Sequence, residues 1–261
     1  MDTTDQERET TPEASLLSHL IELRSRLLRI SVAILAMFLV LIPFKEQLFR
    51  FVALPLIEQL PEQSTMIATQ VASPFLIPFK LTLVVAIFFA MPVILYQAWA
   101  FVAPGLYKQE KRLVVPLMIS SVSLFYLGIA FAYYVVFPLM FAFFNAVAPE
   151  GVAVMTDIAN YLDFVLVLFF AFGIAFEVPV VTVLLVWTGF VTPARLASSR
   201  AYVFLGAFIM GMLLTPPDII SQTLLALPVY LLFEAGIIMS RILVPGHREV
   251  EEQSTANGEN Q

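Results

Sequence analysis

The chain has 261 residues, of which 60% are hydrophobic and 13% charged, with a formal net charge of -6 and a mean hydropathy of +0.89. Soluble domains carry about 25% charged residues and about 45–50% apolar ones, so this composition excludes an ordinary water-soluble globule and suits a bilayer. It contains no cysteine and two histidines, His19 and His247, which excludes disulfides, thiolate chemistry and a multi-histidine metal centre.

Much of the acidity sits at the ends. Asp2, Asp5, Glu7, Glu9 and Glu13 face Arg8 alone, and Glu249, Glu251, Glu252 and Glu259 face Arg248. Residues 1–14 and 244–261 are therefore expected to be disordered acidic tails. Between them lies one membrane domain, 15–243. The start lacks the basic-then-apolar pattern of a cleaved signal peptide.

The first element expected is an amphipathic helix over 15–29, SLLSHLIELRSRLLR. Leu16, Leu17, Leu20, Leu23, Leu27 and Leu28 recur at three- and four-residue spacing, which predicts a helix on the cytoplasmic interface running into the first span. Spanning helices need about 20 mostly apolar residues. Six are predicted, at 28–43, 75–96, 114–138, 164–187, 202–214 and 219–240. The fifth is short because Pro216–Pro217 ends it, so the last two form a tight hairpin. Loops 44–74 and 139–163 are long. Leu54, Leu56, Ile57 and Leu60 predict a short amphipathic helix in the first, and PEG at 149–151 marks the second. No internal repeat is visible, which counts against a transporter.

Lys and Arg distribution predicts orientation. Eleven fall in the N-segment, the 97–113 and 188–201 loops and the C-terminal tail; Lys45, Arg50 and Lys80 are the others among the total of 14. Both termini are thus expected in the cytoplasm.

Chemical motifs are missing. There is no GxxxxGK[ST], HExxH or GxSxG, so neither an enzyme nor a cofactor is expected. An intramembrane protease lacks a histidine at depth to serve Ser120, Ser121 or Ser123. The polar residues inside the spans need another account. Glu177 lies at mid-span, where an ionised carboxylate costs roughly 2.5–3.5 kcal/mol. Pro179 is expected to kink the helix beside it and free the Ala175 carbonyl, which predicts a concave, partly wet groove. Gln97, Trp99 and Phe101 end the second span, where both aromatics suit an interfacial belt. Glu22 and Glu110 lie among basic residues, either as surface ion pairs or as two carboxylates gripping a cationic partner. Thr215, Asp218 and Gln222 cluster at the outer end of the final hairpin. Asp218 is placed to cap the last helix, and Gln222 to bond a neighbouring helix.

HLIELRSRL at 19–27, STMIATQVASPF at 64–75, PVILYQAWAFVAPGLYKQEKRLVVPL at 92–117, AFAYYVVFPL at 130–139, FEVPV at 176–180 and GMLLTPPDIISQTLLALP at 211–228 together resemble the TatC family, the large subunit of the twin-arginine protein translocase. The resemblance runs from residue 19 to about 241. It implies an all-α receptor of the bacterial inner membrane that binds Arg-Arg signal peptides of folded proteins and nucleates a translocation complex driven by the proton-motive force. Glu22 and Glu110 are implied as the arginine site, with Phe101, Arg24 and Pro55 among the positions needed for function. Glu177 is implied to line the groove for the deeper part of the signal. Met212, Thr215 and Gln222 are implied to lie where single-span partners of the TatA and TatB type dock. A proton-coupled small-molecule carrier using Glu177, and a passive scaffold, are the alternatives from the residues alone.

Overall fold

A computed structural model of the chain describes residues 12–58, 66–102, 111–147, 155–215 and 218–243. Residues 1–11 and 244–261 of the expected tails, Leu60, Glu110, PEG at 149–151 and Pro216–Pro217 lie outside the described residues, while 12–14 belong to the first helix. Among the described residues ten α-helices follow in order: α1 (Pro12–Leu41), α2 (Lys45–Ile57), α3 (Ser73–Val102), α4 (Lys111–Phe131), α5 (Phe137–Val147), α6 (Ile158–Ala175), α7 (Val178–Trp187), α8 (Pro193–Ser198), α9 (Arg200–Leu214) and α10 (Ile219–Leu243). A 3₁₀ turn joins α1 to α2, and π-helical Ala132–Val136 joins α4 to α5. Among the described residues five helical stretches are long and apolar enough to cross a membrane: Leu20–Ile57, Ser73–Phe101, Val114–Val147, Ile158–Trp187 and Ile219–Leu243. The shorter apolar helix α9 has 15 residues, about 22 Å of helix against a hydrocarbon core of about 30 Å.

The bundle packs around aromatic rings from α3 to α6. Phe88 meets Phe125, Phe169 and Phe170 edge-on at centroid distances of 5.0 to 5.9 Å, the geometry that ring quadrupoles favour. Glycine permits the tight α4–α6 seam. A Cβ on Gly128 would lie 2.5 Å from the Phe172 carbonyl oxygen, and one on Gly173 would lie 2.6 Å from the Phe125 ring. A second cluster, Trp99, Leu117, Val180, Val183 and Trp187, closes the end of the bundle where α1 begins and α3 ends, here called the near end. Among its described side chains α1 has none fully buried and packs chiefly on α3, and α9 leans mainly on α10. Many large apolar side chains are exposed, including Leu35, Phe89, Leu205 and Leu213. A bilayer solvates such faces without penalty.

At the far end the two long connections are clasped together. Ile67 pairs with Asp157 in a short parallel bridge, with Ile67 N–H on the Thr156 carbonyl and Ile158 N–H on the Ile67 carbonyl at 3.0 and 2.9 Å. Asp157 also caps α6 by accepting from the Ala159 and Asn160 amides. Its other carboxylate oxygen accepts from the Thr69 amide at 2.9 Å and the Thr69 hydroxyl at 2.7 Å. These bonds, the Thr69 hydroxyl first, pull the Asp157 pKa from 3.8 down to about 2.

Residues 15–29 run without a break into the first span, as expected, within continuous α1, where no proline or glycine after Pro12 interrupts the ladder. Other expectations change. The third stretch runs on to Val147 and the fourth begins at Ile158, so the 139–163 connection is mostly helix. Trp99 is not a belt residue; it is buried against α4 and α7. The short helix expected in the 44–74 loop is present as α2.

Candidate functional site

At the near end, Glu22 and Arg26 sit one turn apart on α1. The Arg26 guanidinium donates to Glu22 Oε1 through both Nε, at 3.2 Å, and Nη2. The same group crosses to α3. Nη1 donates to Gln97 Oε1 at 3.3 Å and to the Gln97 carbonyl at 3.5 Å, and Nη2 donates to the Ala100 carbonyl at 2.9 Å. Ala100 lies in the last turn of α3, where carbonyls lack helical partners and a cation complements the dipole. The expected bland ion pair is therefore more than a surface contact. The Arg26 side chain is only 15% exposed, while Glu22 keeps 40%. Gln97 is buried, Phe101 is half-buried in the final turn of α3, and Arg24 is exposed on α1.

Glu177 stands where the fourth span breaks. α6 ends at Ala175 and α7 begins at Val178, with Pro179 in its first turn. Glu177 N–H turns back to the Ile174 carbonyl at 3.0 Å. The break was legible, because proline cannot supply the N–H the ladder needs. Glu177 Oε2 accepts from the Ser121 hydroxyl of α4. Oε1 is buried and has no hydrogen-bond partner among the described residues. The carboxyl faces an apolar hollow of about 210 Å³ lined by Leu95, Ala98, Trp99, Ser121, Val180, Val181 and Leu184. One carboxyl in such a wall can accept a donor from an inserted chain while the rest contacts apolar groups.

The far-end hairpin carries the other expected residues. Thr215 is buried and its hydroxyl donates to the Gly211 carbonyl at 2.9 Å. Asp218 caps α10 as expected, Oδ1 accepting from the Ser221 amide at 2.7 Å, with Oδ2 buried and without a hydrogen-bond partner among the described residues. Gly211 brings α9 against the Gln222 backbone; the Gln222 side chain makes no interhelical hydrogen bond among the described residues. Met212 is exposed on α9. The structure groups Thr215, Asp218 and Gln222 at this end and leaves Glu177 and Glu22 toward the other. Pro55 lies inside α2 and frees the Phe51 carbonyl, which accepts from the Tyr133 hydroxyl at 2.7 Å. Pro92 in α3 frees the Phe88 carbonyl, and Tyr126 fills it at 3.0 Å.

The i, i+4 spacing already paired Arg26 with Glu22, but its reach across to Gln97 and Ala100 on α3 escaped the sequence reading, as did Glu234. Glu234 is another carboxylate inside an apolar stretch, Ile219–Leu243. It accepts a forked pair from Arg200 Nε and Nη2 at 2.6 and 2.9 Å, and the Tyr230 hydroxyl at 2.9 Å. Its signal was an acidic residue within α10, balanced by an arginine at the start of α9.

Comparison with known proteins sets this geometry in context. Residues 18–228 match the family described as Sec-independent protein translocase protein (TatC). The TatC protein of Azotobacter chroococcum is 58% identical over 246 residues, covering 94% of this chain and 95% of that one. That of Escherichia coli K12 is 59% identical over 237 residues, covering 91% and 92%. A crystal structure of the twin arginine translocase receptor TatC superimposes with a TM-score of 0.76 at 38% identity, covering 86% of this chain and 98% of the other.

Proposed function

The chain belongs to the TatC family of Sec-independent protein translocase proteins, and on that premise we propose that it is the signal-peptide receptor of a twin-arginine translocase. It is a multi-pass inner-membrane protein. Both termini face the cytoplasm, since most of the basic residues belong to near-end segments and the tails. Glu22 and Glu110 together take the paired guanidinium groups of a signal on folded cargo. The observation that carries this reading is that Glu22 already holds a guanidinium, that of Arg26, in a forked contact beside α3. A planar fork is the cation such a carboxylate holds best.

The apolar part of the signal then lies in the hollow beneath Trp99, where Glu177 Oε1 accepts a donor from it. Gln97, Phe101 and Arg24 border the entry. Met212, Thr215 and Gln222 form the contact for single-span TatA- and TatB-type subunits, Asp218 and Pro55 hold the surrounding helices, and the proton-motive force drives transport. The carrier alternative rested on Glu177 alone, and membership of a protein translocase family leaves it without support.

The test is a titration of a fluorescent Arg-Arg signal peptide, with its Lys-Lys twin, into the lipid-reconstituted chain. Replacing Glu22→Ala with Glu110→Ala is expected to weaken Arg-Arg binding about tenfold or more. Undiminished binding would overturn the site.

A further inference from the structure

We propose that Arg26 is a resident competitor for Glu22, and that it sets the preference of the site for guanidinium over ammonium groups. This rests on the reading of Glu22 as part of the signal site. In the resting chain Glu22 is not vacant. Nε and Nη2 of Arg26 both converge on its Oε1, and α1 carries Arg24 and Arg29 on either side. Between residues 20 and 30 one carboxylate therefore faces three guanidinium groups. An incoming cation meets a net positive segment and must take Glu22 from a partner that already supplies two donors.

The exchange is inexpensive for Arg26. When it releases Glu22 it keeps Gln97 Oε1 and the carbonyls of Gln97 and Ala100 on α3, so it is not left as an unpaired, mostly buried charge. Glu22 is the more exposed partner and is the group free to turn toward a ligand. An entering guanidinium reproduces the planar fork that it displaces. An entering ammonium, a compact and strongly hydrated point charge, does not. The resident arginine thus raises the threshold for both ligands but excludes lysine more.

The decisive measurement compares Arg-Arg and Lys-Lys signal peptides on the reconstituted full chain carrying Arg26→Gln, Arg26→Lys or Glu22→Ala, with thermal unfolding as the check on folding. The amide introduced by Arg26→Gln can still donate to the end of α3. Arg26→Gln is expected to tighten Lys-Lys binding by about three- to tenfold and Arg-Arg binding by less, so that the ratio of the two affinities narrows. Arg26→Lys, which keeps the charge but not the fork, is expected to fall between. A merely structural role for Arg26 would weaken both peptides alike and leave their ratio unchanged; that result, or weaker Lys-Lys binding alone, overturns the proposal. If Glu22→Ala binds the Arg-Arg peptide like the unaltered chain, the signal site itself is misplaced. If Glu22→Ala weakens binding while Arg26→Gln leaves the ratio intact, only the competitor role fails.

Discussion

Proline inside a membrane helix leaves a carbonyl without its donor, and in lipid no water replaces it. This chain answers with tyrosine. The carbonyls freed by Pro55 and Pro92 receive the hydroxyls of Tyr133 and Tyr126, and the Tyr161 hydroxyl reaches the Val52 carbonyl at 2.8 Å. The α2 segment is thereby bolted to α4–α6. Tyr133→Phe keeps the ring stacked on Phe51, at 4.7 Å, but strands the Phe51 carbonyl. It is expected to cost about 1–3 kcal/mol. In a Pro55→Ala background the restored N–H satisfies that carbonyl, so the same change costs much less. A double-mutant cycle on detergent-solubilised protein reads the coupling; additive costs would refute the pairing.

Between elements, small residues decide how closely helices approach. Gly236 places α10 against α7, and a Cβ there would collide with Thr182 Oγ1 and lie 2.9 Å from Pro179 Cα. Gly236→Ala is therefore expected to lose about 1–3 kcal/mol and to lower the thermal midpoint. Adding Thr182→Ala removes the nearer clash but not the Pro179 contact, so rescue should be partial. Full stability of Gly236→Ala alone would mean that the α7–α10 seam is looser than described. That seam also supports the groove, because Pro179 lies in the first turn of α7, directly after the break that holds Glu177. α7 ends at Trp187, and Gly189 just beyond its C-cap, with a φ of 76°, turns the chain in the left-handed region.

At the scale of the whole molecule the far end is fastened by Asp157. Its folded pKa of about 2 lies below the ordinary 3.8, so its ionised form is the one that folding favours. The stabilisation it confers is complete above about pH 4 and is lost as pH falls through about 2. The unaltered chain should thus be more heat-stable than Asp157→Ala at neutral pH, and the difference should close as melts are taken down from pH 4. A difference that persisted unchanged at pH 2 would show that the clasp does not depend on the carboxylate.

How much of this was legible follows from the range of each interaction. Hydropathy and helical period are local, so composition and residue pattern determined a multi-span all-α membrane protein, six apolar segments with a short fifth, the break at Glu177–Pro179 and the cap at Asp218. The long motifs pointed to the family, and Glu22 and Glu177 stood out as charges that needed partners. Only the tertiary structure decided who those partners are. Arg26 reaches Gln97 and Ala100, Ser121 reaches Glu177, and Arg200 reaches Glu234. Each contact depends on the rotation and register of one helix against another. In water, an apolar stripe reports that rotation, because one face must be buried. In a bilayer both faces are apolar, the stripe disappears, and the same residues suit lipid and core alike. Helix rotation then rests on glycine seams, tyrosine hydroxyls and forked ion pairs, whose pairing emerges once the chain has folded.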